Sequence, residues 1–197
     1  MKEMKVRLTF VDDILGGTPG NEDIFRTYVG SKAPDPTKME DEVAALGVEG
    51  VVEKGKTIFP KKADGTPFLY AYQIRGFFKG AAGAMREVSG SRSSGLKAYK
   101  RRIDRVIFVR EDKVPFINWG MIDECQRPLR ASTPQGERVS IAISESISEG
   151  TMLEFTVVCL VDGDMEYVRE WLDYGPFSGI GQWRNSGKGR FTWEEIA

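Results

Sequence analysis

Val139-Ser140-Ile141-Ala142-Ile143-Ser144, followed by Glu145-Ser146-Ile147-Ser148-Glu149-Gly150-Thr151 and then Met152-Leu153-Glu154-Phe155-Thr156-Val157-Val158-Cys159-Leu160, decides the fold. Both flanking runs alternate β-branched or aromatic residues with polar ones, a period of two that puts one face of a strand toward a core. Glu149-Gly150 supplies the turn, where glycine tolerates a backbone that other residues avoid. That turn lies between Ser146–Ser148 and the Met152–Leu160 strand, and strong strands here among helices elsewhere point to an α+β chain with an antiparallel sheet.

Working outward, Val6-Arg7-Leu8-Thr9-Phe10 alternates and predicts a first strand, with a turn at Ile14–Gly20. Asn21 and Asp35-Pro36 predict the starts of two helices, Glu22–Val29 and Pro36–Leu46. Thr57–Pro60 and Phe68–Tyr70, with Asp64-Gly65 between them, read as a hairpin. From Gln73 to Val88, apolar residues fall at Ile74, Phe77, Phe78, Ala81, Ala82 and Met85, which is helical spacing. Ser89–Gly95 reads as a mobile loop, and Val106–Val109 and Val114–Ile117 as strands. Gln126–Thr133 reads as extended. Met165–Tyr174 predicts a helix with Tyr167, Val168, Trp171 and Leu172 inward, and Phe191-Thr192-Trp193 a closing strand. This mixed order, without a long linker or repeat, predicts one α+β domain over 1–197 with helices on an antiparallel sheet.

The 197 residues contain no histidine, which excludes Ser-His-Asp and Cys-His chemistry and any imidazole metal site. Two cysteines, Cys125 and Cys159, are too few for a four-thiolate centre and read as small buried residues, with a single disulfide left open. No metal or cofactor is expected. No apolar run opens the chain or reaches the length of a membrane span, so the expectation is a cytoplasmic protein that does not meet a membrane.

Charge is segregated beneath a net −1. Residues 1–53 carry eleven acids against six bases, whereas residues 86–110 carry eight bases against two acids. Such a basic run attracts polyanions, and its plainer meaning is a solvated surface. Candidate nucleic-acid contacts within it are Arg92, Lys97, Lys100, Arg101 and Arg102. Three further stretches join them. Arg75 and Lys79, four apart near a helix start, can face one anion. Arg127 and Arg130 lie on the extended segment. In the tail, Gly179, Gly181, Gly187 and Gly189 are interleaved with Trp183, Arg184, Lys188 and Arg190. Closely spaced glycines let backbone N–H groups approach a phosphate, and Trp183 offers a stacking face, as does Tyr99. The plainer reading of the tail is a tight loop against the sheet. Asp12 and Asp13 point to opposite sides of a strand, which suits a surface role better than a shared metal.

In sequence order, four pieces resemble the RAMP superfamily, RNA-binding proteins that form the backbone of CRISPR effector complexes. They are Val6–Phe10 with Ile14-Leu15-Gly16-Gly17, Ile74-Arg75-Gly76-Phe77-Phe78-Lys79-Gly80-Ala81, Glu145–Phe155, and Trp171–Gly175 with Gly179-Ile180-Gly181 and Ser186–Phe191. The chain is also similar to small proteins of bacterial phages and prophages. The resemblance implies a ferredoxin-like (RRM-like) core with insertions at about 21–52 and 89–105, the second facing nucleic acid. It implies a non-catalytic protein that binds single-stranded RNA, ahead of DNA, and self-assembles into an oligomer or filament. A second expectation is a phage factor that binds a host defence complex through protein contacts. A third is a Mg²⁺-dependent nuclease using Asp12 and Asp13. The family's guide-cutting members often use histidine, absent here, and its target-cutting members use an acid in an early loop, a place open to Asp12, Asp13 or Asp23 but aligned with none of them, so the enzymatic version is not expected.

Overall fold

The computed structural model describes residues 1–20, 56–133 and 136–197. The helices expected at Glu22–Val29 and Pro36–Leu46, and the insertion expected at about 21–52, lie outside the described residues. The chain forms two compact units, the first from Met1–Ile14, Pro60–Met121 and Ile147–Ala197, the second from Leu15–Phe59 and Ile122–Ser146.

In the first unit, β1 (Lys2–Phe10) is an interior strand of the sheet. Its burial alternates, with Met4, Val6, Leu8 and Phe10 inward and Glu3, Lys5, Arg7 and Thr9 outward, as its sequence predicts. β10 (Met152–Cys159) lies against it antiparallel, Leu8 opposite Leu153 and Val6 opposite Phe155. β11 (Phe191–Ile196) flanks its other side. Arg7 sits opposite Glu154 on one neighbour and Glu194 on the other, and bonds both, at 2.7 and 2.9 Å.

β6 (Ile107–Val109) and β7 (Lys113–Ile117) both run along β10, as two halves of one interrupted strand. At the interruption Arg110 N–H donates to the Thr156 carbonyl, and the Glu111 carboxylate accepts from the Thr156 N–H at 2.8 Å. β5 (Phe68–Tyr70) extends the sheet beyond β7.

α1 (Ala71–Arg86) buries Ile74, Phe77, Phe78, Ala81 and Ala82, the stripe its spacing predicts. The Gln73 side chain closes its start by accepting the Tyr70 N–H at 2.9 Å. α2 (Tyr99–Val106) follows, and α3 (Asp164–Asp173) buries Met165, Val168, Trp171 and Leu172. Tyr167 is half-buried, its ring stacked 6.1 Å from that of Trp171. The spatial order β11-β1-β10-β6/β7, with α1 and α3 on the two crossovers, is the antiparallel ferredoxin-like arrangement. The expected α+β class with a helix-backed antiparallel sheet holds.

The second unit is a sheet in the order β2 (Ile14–Leu15), β9 (Gly136–Ile147), β4 (Thr57–Ile58), β3 (Thr18–Pro19), with β8 (Ile122–Thr133) on β9. Here two expectations change. β4 and β5 belong to different sheets and do not pair with each other, so the expected hairpin is kept only near its turn, where Phe68 N–H donates to the Pro60 carbonyl and Lys62 N–H to the Thr66 carbonyl. The turn at Asp64-Gly65 is present, with Gly65 at φ +84, but it closes a smaller loop in which Lys61 faces Pro67. The Val139–Ser144 strand belongs to β9 of the second unit, while its sequence neighbour β10 belongs to the first.

Both cysteines are free thiols. Burial on β10, with the nearby Asp164 carboxylate, pushes Cys159 up to about 12, so it stays a neutral thiol.

Candidate nucleic-acid interface

The basic segment begins as a stretch without apolar periodicity, and polar contacts define its shape. Arg92–Gly95 forms one 3-10 turn around Ser93, which is buried. Glu170 on α3 accepts the Arg92 and Ser93 N–H groups at 2.6 and 3.0 Å and the Ser93 hydroxyl at 2.5 Å. Trp171 Nε1 donates to the same hydroxyl at 2.9 Å. The Ser89–Gly95 segment, expected as a loop with no anchor, is tied to α3 by these hydrogen bonds, the Trp171–Ser93 one buried. Leu96 and Ile103 add apolar anchors.

Ala98 takes a left-handed conformation, φ 50, and turns the chain into α2. Arg102 reaches from α2 to Asp164, which is 1 % exposed, and binds it at 2.6 and 3.0 Å. That bidentate pair is the stronger form of the ion pair. Asp104, the acid within α2, is claimed from α1: Lys79 Nζ lies 2.7 Å and Arg75 Nη2 2.9 Å from its Oδ1. Lys79 and then Arg75 hold its carboxyl below the usual value.

This pairing leaves a residue of charge. Lys97, Arg101 and Arg105 recur every fourth position, are exposed, and pair with no carboxylate among the described residues. Together with Ala98, Arg102, Val106 and Val161 they line an open groove of about 260 Å³. Three unpaired cations around an apolar floor, with Arg102 held by Asp164, are suited to a polyanion with apolar parts. Arg101 and Arg105 are one helical step of four residues apart, about 6 Å along the axis.

The other predicted contacts separate into free and committed. Arg92 is 63 % exposed, with Glu166 at 3.7 Å, and Lys100 is exposed with its ammonium 6.0 Å from the Tyr99 ring centre. Tyr99 is half-buried beneath Arg86, so its ring is already covered on one side. Arg75 and Lys79 serve Asp104 and are not open to solvent as a pair. Arg127 is buried in the second unit, and the side chain of Arg130 lies outside the described set.

In the tail, Lys188 binds Asp13 at 2.6 Å and Arg190 binds Asp12 at 2.5 Å. Gly189 N–H donates to the Asp13 carbonyl and Gly189 carbonyl accepts the Ile180 N–H. A Cβ at Gly179 would stand 2.2 Å from Gly189, and one at Gly189 1.9 Å from the Ile180 carbonyl oxygen. The glycines here serve a close backbone crossing, and Gly181 and Gly187 lie in the same loop at φ +94 and +90. Trp183 is 37 % exposed, and Arg184 is exposed, its guanidinium over Gly80 of α1. Sequence reasoning left Arg105 and Val161 out of the site; the Arg101–Arg105 interval of four was the available signal for the first.

Among the described residues, no three acids or thiols converge where a metal could sit, and no helix is long and apolar enough to cross a membrane. Fold and groove define the chain as a ferredoxin-like α+β protein with an unneutralised cationic groove. No family model matches the sequence, and no curated protein matches it. Similar solved structures include a chain in the cryo-EM structure of the Type III-B Cmr-beta bound to cognate target RNA, at 11 % identity and TM-score 0.49. All of this chain and 60 % of that one are covered. Another is a chain of a Type IV-B CRISPR complex, at 12 % identity and TM-score 0.49, with all of this chain and 91 % of that one covered. The present chain thus spans less than two thirds of the first neighbour's length.

Proposed function

We propose that this protein is a non-catalytic binder of single-stranded nucleic acid, RNA ahead of DNA, and that the groove on α2 holds the phosphate backbone. The observation that carries this is the charge pairing around α2. Its own acid is neutralised from α1, one of its arginines is taken by α3, and Lys97, Arg101 and Arg105 are left for an external anion. Binding is driven by counterion release, with little reading of sequence. Placement in a CRISPR-like assembly, and self-association within it, rest on the ordered motifs of the chain.

The test is the affinity of the full chain for labelled 30-mers of RNA and of DNA across a salt series. With three to four phosphates neutralised, log K falls against log salt with a slope of about −2 to −3 on a single strand. Tighter binding of RNA than of DNA is expected. A flat salt response, or no binding at low salt, overturns the reading. Sedimentation of the nucleic-acid-free protein tests the self-association separately.

A further inference from the structure

At the far edge of the first unit's sheet, away from the basic run in sequence, three aromatic rings form a ladder. Phe68 and Tyr70 on β5 meet edge to face, their ring centres 5.0 Å apart. Tyr70 and Tyr72 then stack, 5.4 Å apart and within 16° of parallel. Phe68 is buried and Tyr70 half-buried, but Tyr72 is 60 % exposed. A tyrosine ring supported on a second ring and open to solvent is a rigid flat surface, pre-set for stacking. Gly76, one turn further along α1, has nothing within 4 Å of the place a Cβ would take.

The surroundings select the ligand. Lys113 sits directly opposite Tyr70 in the β5–β7 register, with its ammonium 5.3 Å from the Phe68 ring centre. It is exposed and pairs with no carboxylate among the described residues. A flat π-face at one end of the ladder and a cation over Phe68 at the other match a single strand: a base to stack on Tyr72 and a phosphate further along to meet Lys113.

We propose that Tyr72, supported by Tyr70, is a stacking platform for one base of a bound single strand, with Lys113 a cation for a phosphate further along that strand. This rests on the nucleic-acid reading above and adds to it a base-dependent contact that the α2 groove lacks. The platform is sequence-tolerant, because every base has a π-face.

The experiment measures Tyr72→Ala, Tyr72→Phe and the unaltered chain against a labelled RNA 30-mer and against inorganic polyphosphate, which has the charge but no bases. Tyr72→Ala weakens 30-mer binding by about 5- to 150-fold, the range for loss of one stacked base. It leaves polyphosphate binding unchanged, and Tyr72→Phe binds the 30-mer like the unaltered chain. If Tyr72→Ala binds the 30-mer normally, or loses polyphosphate to the same degree, the platform is overturned and the groove reading stands. If the unaltered chain binds neither polyanion, both are overturned.

Discussion

The segment 92–105 and the tail 179–190 look alike in sequence, each a run of arginine, lysine, serine and glycine. The structure separates them. In the tail, Lys188 and Arg190 are met by Asp13 and Asp12 from the end of β1, and the glycines permit a backbone crossing. In the α2 segment, the acids that arrive take Arg102, the backbone and Ser93 hydroxyl of the 3-10 turn and, loosely at 3.7 Å, Arg92. Lys97, Arg101 and Arg105 keep their charge. A basic run is therefore read by subtracting the acids that the fold delivers to it, and those acids are remote in sequence.

The largest effect expected from this contrast is on stability, and it falls on the tail. Gly189→Ala places a Cβ 1.9 Å from the Ile180 carbonyl oxygen at φ +73. Overpacking and the left-handed backbone together cost about 2–5 kcal/mol, to be read from the urea midpoint. The salt slope of binding by the folded fraction stays as it was. A stable Gly189→Ala protein with a weakened slope would mean that the tail, too, binds the strand.

A matched pair of variants comes next. Replacing Lys97, Arg101 and Arg105 together by alanine flattens the salt slope by about 0.7 per cation removed. Each of these exposed positions changes stability by no more than about 0.5 kcal/mol. Replacing Lys188 and Arg190 together does the reverse. Each partly exposed pair is worth about 1 kcal/mol or less after solvent screening, and the slope is kept. Equal slopes in the two variants would erase the distinction between the regions.

Much of the first unit was legible because its signals are local. The period-two alternation of Val6–Phe10 and Met152–Cys159 and the helical spacing of Ile74–Ala82 all survive into the structure. What was not legible depends on distant partners. α2 has one buried residue, Ile103, so no apolar period announces a helix. Ser93 is anchored by Glu170, 77 residues away, and composition alone reads it as a loop. Thr57–Ile58 and Phe68–Tyr70 have hairpin-like spacing, yet their partners are β3 and β9 for one and β7 for the other. The site followed the same rule. Arg75 and Lys79 have the right interval for one anion, and they do hold one, the carboxylate of Asp104.

That last pair gives the smallest and most discriminating test. Lys79, then Arg75, depress the Asp104 carboxyl below its ordinary 3.8. A carboxylate whose folded pKa lies below its unfolded value contributes stability above the unfolded value and loses it as pH falls through the folded one. The stability gap between the unaltered chain and Asp104→Asn is thus constant above about pH 4 and closes at lower pH, as acid titrations followed by tryptophan fluorescence would show. Asp104 is nearly half exposed, so the gap is modest. At neutral pH the same variant releases Arg75 and Lys79 from α2. If internal acids alone decide which bases meet the strand, Asp104→Asn steepens the salt slope by up to about 0.7 for each released cation. An unchanged slope would show that the groove's position on α2, and not its surplus of charge, selects the contacts.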